Sequence, residues 1–237
     1  WKNIYEFWIY INIKIYINIK INTTEIDTIQ STTFLGVIID QNFTWSKHIT
    51  HITNKLSKAI GILRKASHAF NCSTLRMLYY SFLQPYLNYC LLIWGNAANT
   101  HLNKLILLQK RAIRTITHSQ YLDHTNPLFA QQNILKVKDL YMQRCALFAY
   151  KVYSHQFPTT FSNQFELTAP NHTYNTRSVS QGTLNTPAFR TSLKQNTLKN
   201  QSVKIFNELL RPNNYHIFSS INTLKNTLHK RLVSQYI

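Results

Sequence analysis

Residues 33–66 read TFLGVIIDQNFTWSKHITHITNKLSKAIGILRKA, and a change of period inside this stretch decides the fold. Up to Asp40 the run is rich in β-branched residues and reads as a short strand. Gly36 within it marks a bulge or a close backbone approach. Asp40-Gln41-Asn42 is then a turn. From Trp45 to about residue 69 the period is helical. At about 100° per residue, with Lys47 at zero, Ile49, Ile52, Leu56, Ala59, Ile60 and Leu63 fall between roughly 120° and 220°. Lys47, His51, Lys55, Lys58 and Lys65 fall between roughly 0° and 80°. A basic stripe thus lies opposite an apolar one, and Thr44 or Ser46 is placed to cap the start.

Residues 99–118 repeat the design. Leu102, Leu105, Ile106, Leu108, Ala112, Ile113 and Ile116 share one arc, and Lys104, Lys110, Arg111, Arg114 and His118 share the other, with Leu107 the exception. Between these two helices, residues 73–94 are apolar and aromatic almost all round. That pattern predicts a central buried helix, capped by Ser73, kinked or split at Pro85 and stopped by Gly95-Asn96. Further helices are predicted at about 127–132 with Asn126 as cap and Pro127 at the first position, and at 137–155, 202–210 and 220–235. The polar segment 156–188, with Pro158, Pro170, Gly182 and Pro187, reads as a long loop. Upstream, residues 9–21 are the tandem repeat IYINIKIYINIKI, which has the period of a strand and the composition of translated AT-rich DNA. The predicted fold class is mainly α with a small N-terminal β element, an α+β chain in which a helical bundle follows a β-hairpin. Its expected divisions are 1–42, 43–155, a linker at 156–188 and a helical tail at 189–237.

Charge limits what such a chain can do. Among 237 residues, 26 are Lys or Arg and 8 are Asp or Glu, for a formal net charge of +18. Residues 47–118 hold ten basic side chains and no carboxylate. A one-sign field of that size suits a polyanion, nucleic acid before anionic membrane. Two-metal phosphoryl transfer needs clustered carboxylates, and only Glu25 and Asp27 lie close together in sequence. With four Gly there is no phosphate-binding Gly-rich loop. His48-x-x-His51 has ligand spacing, but Lys neighbours it and no Cys or carboxylate completes it. The widely spaced Cys72, Cys90 and Cys145 form no disulfide framework, pointing to small buried residues in a reducing, intracellular setting. No apolar run reaches membrane-spanning length, so no membrane partner is expected. Tyr79, Tyr80, Tyr86, Tyr89 and Trp94 are core side chains or base-stacking platforms. The polar segment 173–178 is either a plain exposed loop or one whose Tyr174 and Arg177 meet a base and a phosphate.

Several elements together resemble one family. Phe34-Leu35-Gly36-Val37-Ile38-Ile39-Asp40, followed by Thr44-Trp45-Ser46-Lys47-His48-Ile49, is similar to the segment after the catalytic palm of non-LTR (LINE-like, Jockey-like) retrotransposon reverse transcriptases. The resemblance continues through Leu78-Tyr79-Tyr80-Ser81, Pro85-Tyr86-Leu87-Asn88-Tyr89-Cys90 and Trp94-Gly95-Asn96. Beyond these come Leu107-Leu108-Gln109-Lys110-Arg111-Ala112-Ile113-Arg114, His124-Thr125-Asn126-Pro127-Leu128-Phe129 and Tyr174-Asn175-Thr176-Arg177-Ser178. It implies a primer grip at Phe34, Leu35 and Gly36 and a thumb built from the helices at 45–69, 73–94 and 99–118. Their basic stripes would then hold an RNA/DNA template–primer duplex. The family's catalytic Asp-Asp pair is absent, and too few residues precede Phe34 to hold a palm. Ser202-Val203-Lys204-Ile205-Phe206-Asn207 stands where the family has Gly-Pro-Lys-Leu-Trp-Asn. The expectation is a C-terminal fragment with no catalysis and no cofactor of its own. The missing palm and fingers would be its partners, and the parent polymerase would need Mg2+. A degenerate product without function and a basic helical structural or membrane-surface protein are the alternatives.

Overall fold

The computed structural model describes residues 19–21, 24–26, 29–157, 183–186, 188–210 and 220–237. Most of the 9–21 repeat and the whole 173–178 loop, with Arg177, lie outside them. The chain divides into two units, residues 1–43 and 44–237. As expected, the fold is mainly helical, with β-hairpins preceding the helices.

In the first unit, β1 (Ile19–Ile21) pairs antiparallel with β2 (Thr24–Ile26), and β3 (Ser31–Phe34) with β4 (Val37–Asp40). The register of the second hairpin sets Ser31 opposite Asp40 and Phe34 opposite Val37. This corrects the reading of Gly36 as a bulge within one strand. Leu35 (φ 46°) and Gly36 (φ 76°) are the two central residues of a tight turn, and positive φ at both is what a two-residue type I′ turn requires. Gly takes that conformation without strain. The expected turn after β4 is present: the Asn42 N–H donates to Asp40 Oδ1 at 3.2 Å and the Phe43 N–H to the Asp40 carbonyl at 2.9 Å.

The second unit opens with α1 (Ser46–Ala66). Neither expected residue holds the cap position itself. Trp45 does, in the left-handed region (φ 63°), and the Ser46 N–H donates to Thr44 Oγ1 at 3.4 Å. A left-handed, β-carbon-bearing residue costs about 1 kcal/mol or more, and burial of the Trp45 indole offsets it. The apolar face of α1 (Ile49, Ile52, Leu56, Ala59, Leu63) is buried, as is that of α5 (Asn99–Thr117), and the two helices pack together.

The stretch 73–94 is split near Pro85, as expected, and broken once more at Cys90, giving three helices. α2 (Cys72–Phe82) is capped by Asn71, whose Oδ1 accepts from the Thr74 N–H at 3.0 Å, not by Ser73. α3 (Gln84–Asn88) restarts with Pro85 in its first turn, where the missing N–H costs nothing. Cys90, at φ 49°, breaks the chain again before α4 (Leu91–Trp94). These helices are not buried all round. Leu75, Tyr79, Leu83, Leu87, Leu91 and Trp94 face the core, while Met77, Phe82, Tyr86, Tyr89 and Ile93 are exposed, a row of apolar and aromatic positions along the sequence. Gly95 ends α4 against α7 (Val137–Tyr153), where a β-carbon would run into the Tyr141 ring and the Leu91 carbonyl.

α6 (Thr125–Gln132) starts two residues earlier than expected, so Pro127 is its third residue. Downstream come α8 (Ser192–Gln195), α9 (Leu198–Leu210) and α10 (Ile221–Ser234), the last capped by Ser220 through the Thr223 N–H at 3.2 Å. α9 packs along α7, and α10 packs on α7 and α6. Near the C-terminus Tyr236 closes this side. Its hydroxyl donates to Asp139 Oδ2 and accepts from the Lys136 N–H at 3.1 Å, and the Lys136 ammonium lies 4.0 Å from the centre of its ring.

Candidate nucleic-acid interface

Helical periodicity places the expected cations where solvent can reach them. Lys47, His51, Lys55, Lys58 and Lys65 are all exposed on α1. Gly61 lies between Lys58 and Lys65 on the same helix, and nothing comes within 4 Å of where its β-carbon would be. On α5, Lys104 and Arg111 are exposed, whereas Lys110 and Arg114 are half-buried. Among the described residues no helix is long and apolar enough to cross a membrane.

One of the expected contacts has another commitment. Arg114 donates from Nη2 and Nε to the Asp123 carbonyl at 2.8 and 3.3 Å, and its guanidinium lies 5.8 Å from the centre of the Tyr121 ring. It therefore anchors the loop after α5. The charge of Lys110 acts on Lys136, whose ammonium is held below the usual lysine range by burial first, Lys110 adding to that against the pull of Asp139. Phe34, Leu35 and Gly36 form the exposed tip of the β3–β4 hairpin in the other unit. Of the five aromatic candidates, Tyr79 and Trp94 are core, and Tyr80, Tyr86 and Tyr89 are exposed.

His48 and His51 part company. His51 is exposed, while His48 is buried with its ring edge-on to Trp94 at 5.9 Å. Burial, with the His51 charge adding to it, lowers the His48 pKa from 6.5. A histidine depressed in the folded state supports the fold while neutral, and that support is lost as pH falls below the unfolded value. Stability to urea should be flat from pH 8 to about 6.5 and decline below it. His48→Phe should shallow that decline; an unchanged acid slope would show that His48 does not cause it. Of the cysteines, Cys145 is fully buried, its thiol pushed up to about 11 by burial, while Cys72 and Cys90 are only half-buried.

Sequence reasoning missed Gln109. It falls on the apolar arc of α5, between Leu105 and Ile113, and a polar residue on a core face was the available signal. Its side chain is buried and fully used: Nε2 donates to Tyr79 Oη at 2.9 Å and to the Leu135 carbonyl at 3.2 Å, while Oε1 accepts from the Val137 N–H at 2.8 Å. The last bond satisfies a donor left over at the start of α7. Gln109 therefore ties α2, α5 and α7 together beneath the basic surface of α5.

In sequence the chain is similar to RNA-directed DNA polymerases of mobile elements. The chain is similar to the RNA-directed DNA polymerase from mobile element jockey of Drosophila melanogaster, 29% identical over 115 residues, covering 46% of this chain and 12% of that protein. The jockey polymerase of Drosophila funebris is 28% identical over 109 residues, 45% of this chain and 12% of its own length. A probable RNA-directed DNA polymerase from transposon BS of Drosophila melanogaster is 26% identical over 125 residues, 52% of this chain and 14% of its own length. The similarity thus spans about half of this chain and roughly an eighth of each relative. No family model matches the chain, and no solved structure matches it.

Proposed function

We propose that this chain is the duplex-gripping C-terminal part of a non-LTR retrotransposon reverse transcriptase. In this reading α1 and α5 form a thumb that lays Lys47, His51, Lys55, Lys58, Lys65, Lys104 and Arg111 along the backbone of a template–primer duplex. The Phe34–Gly36 hairpin tip serves as the primer grip. The observation that carries the proposal is the outward display of these cations on helices whose sequence, from 47 to 118, contains no carboxylate. The similarity to RNA-directed DNA polymerases supports a nucleic-acid partner of this kind. Contacts of this kind are made to phosphates and carry no base information, as befits a grip that must hold every sequence it copies. Nucleotide transfer then belongs to the palm of the parent polymerase, whose carboxylates would hold Mg2+.

The purified chain should bind an RNA/DNA hybrid with little sequence preference. Affinity should fall log-linearly with salt, because each neutralised phosphate releases counterions. It should incorporate no nucleotide when supplied with Mg2+ and a primed template. Incorporation would overturn the division of labour, and a salt-independent or negligible affinity would overturn the grip.

A further inference from the structure

Between α5 and α6, residues 119–124 form a short loop whose tip is Tyr121-Leu122. Their relative exposures are 76% and 88%, higher than those of every other large apolar residue described except the terminal Ile237. Exposing a tyrosine and a leucine side by side wastes apolar surface that folding would otherwise bury. Yet the loop is tied down at many points. Arg114 holds the Asp123 carbonyl with two donors. The Asp123 N–H donates to the Gln120 carbonyl at 3.2 Å, and the Gln120 N–H donates to Asp123 Oδ2 at 2.7 Å. The Ser119 N–H donates to the Arg114 carbonyl at 3.1 Å, and the Ser119 and Thr117 hydroxyls lie 2.7 Å apart. With the Arg114 guanidinium beside its ring, Tyr121 is held in place and its remaining surface is left to solvent.

The surroundings say what that surface suits. His118, which ends α5, and His124, which precedes α6, flank the loop and are exposed, and Arg111 lies one turn before Arg114. The loop's one carboxylate, Asp123, has an oxygen engaged by the Gln120 N–H. An aromatic platform and an aliphatic wedge, held rigid in a cationic setting, fit an unpaired nucleic-acid base, which offers a π-face to stack on and a phosphate beside it. We infer that Tyr121 and Leu122 stack on the first unpaired base where a gripped duplex ends. This deepens the proposed grip and rests on it: α1 and α5 hold the paired region by its backbone, and the tip reads where pairing stops.

The test uses the full chain, a blunt RNA/DNA hybrid, and the same hybrid with a short single-stranded overhang bearing 2-aminopurine at its first unpaired position. The wild-type chain should prefer the overhang substrate and quench the probe. Tyr121→Ala with Leu122→Ala should lose that preference, about tenfold in affinity, while blunt-duplex affinity stays within about twofold. Tyr121→Trp should keep both preference and quenching. Undiminished preference in the double variant overturns the wedge and leaves the grip standing, as does an equal loss on the blunt duplex. Preference of the tip for phosphatidylserine vesicles over the overhang, lost in the double variant, also overturns the wedge in favour of a membrane contact. No wild-type binding to either nucleic acid overturns the grip, and the wedge with it.

Discussion

Replacing Gln109 with leucine should destabilise the helical unit by about 3 kcal/mol or more, read as a fall in the urea midpoint. The shape of the side chain is nearly preserved, so almost no cavity is made. What is lost is the set of bonds that let three buried polar groups leave water: the Tyr79 hydroxyl, the Leu135 carbonyl and the Val137 N–H. Each buried group left without a partner costs about 1–3 kcal/mol. The phenol cannot escape by ionising, because burial pushes its pKa well above the usual tyrosine range. Against a typical domain stability of about 5–15 kcal/mol, the loss would place an appreciable fraction of the chain near unfolding. Tyr79→Phe should cost much less, about 1 kcal/mol, because Gln109 Nε2 keeps the Leu135 carbonyl. An unchanged midpoint in Gln109→Leu would mean that the three groups find other partners and that α7 does not depend on this cap.

Reversing Lys47, Lys55, Lys58 and Arg111 to glutamate should weaken duplex binding about a hundredfold or more at moderate salt and flatten its salt dependence. All four side chains are exposed, so each reversal should change the stability of the fold by no more than about 0.5 kcal/mol. Arg114 is left out because reversing it would also free the Asp123 carbonyl and release the loop that carries Tyr121. The comparison that gives the result meaning is a second quadruple reversal of equal charge at Lys138, Lys194, Lys225 and Lys230, also exposed but on α7, α8 and α10. Both variants lower the formal net charge from +18 to +10. If the stripes are the contact surface, the first set weakens binding about a hundredfold or more and the second lowers it only several-fold. Equal losses would reduce the interaction to net charge alone.

The stripes were legible in the sequence because a helix maps residue number onto angle, so charge segregation survives translation into three dimensions. The same rule failed for residues 73–94. Where every face is apolar, periodicity cannot say which one turns outward; the split beside Pro85 was legible from the proline, whereas the break at Cys90 comes from local backbone conformation rather than pattern. Leu35-Gly36 was missed as a turn because leucine is an unusual partner for a left-handed glycine. The commitment of Arg114 to the Asp123 carbonyl depends on the path of a loop, and Lys136 and Tyr236 are 100 residues apart, a distance no periodicity bridges. Gln109 was within reach, since a polar residue amid Leu105, Leu108, Ala112 and Ile113 needs buried partners.

The exposed row of Met77, Phe82, Tyr86, Tyr89 and Ile93 has a consequence for how the molecule behaves as a colloid. In dilute buffer a charge of +18 makes copies repel one another, and that repulsion keeps the sticky row from meeting its like. Added salt shortens the reach of the charge to about 8 Å at physiological ionic strength but does nothing to weaken the attraction between apolar surfaces. Solubility should therefore fall along the same salt axis on which nucleic acid is released. The bound polyanion and the low-salt buffer then act as alternative dispersants, and stripping one away in the absence of the other leaves the row to drive self-association.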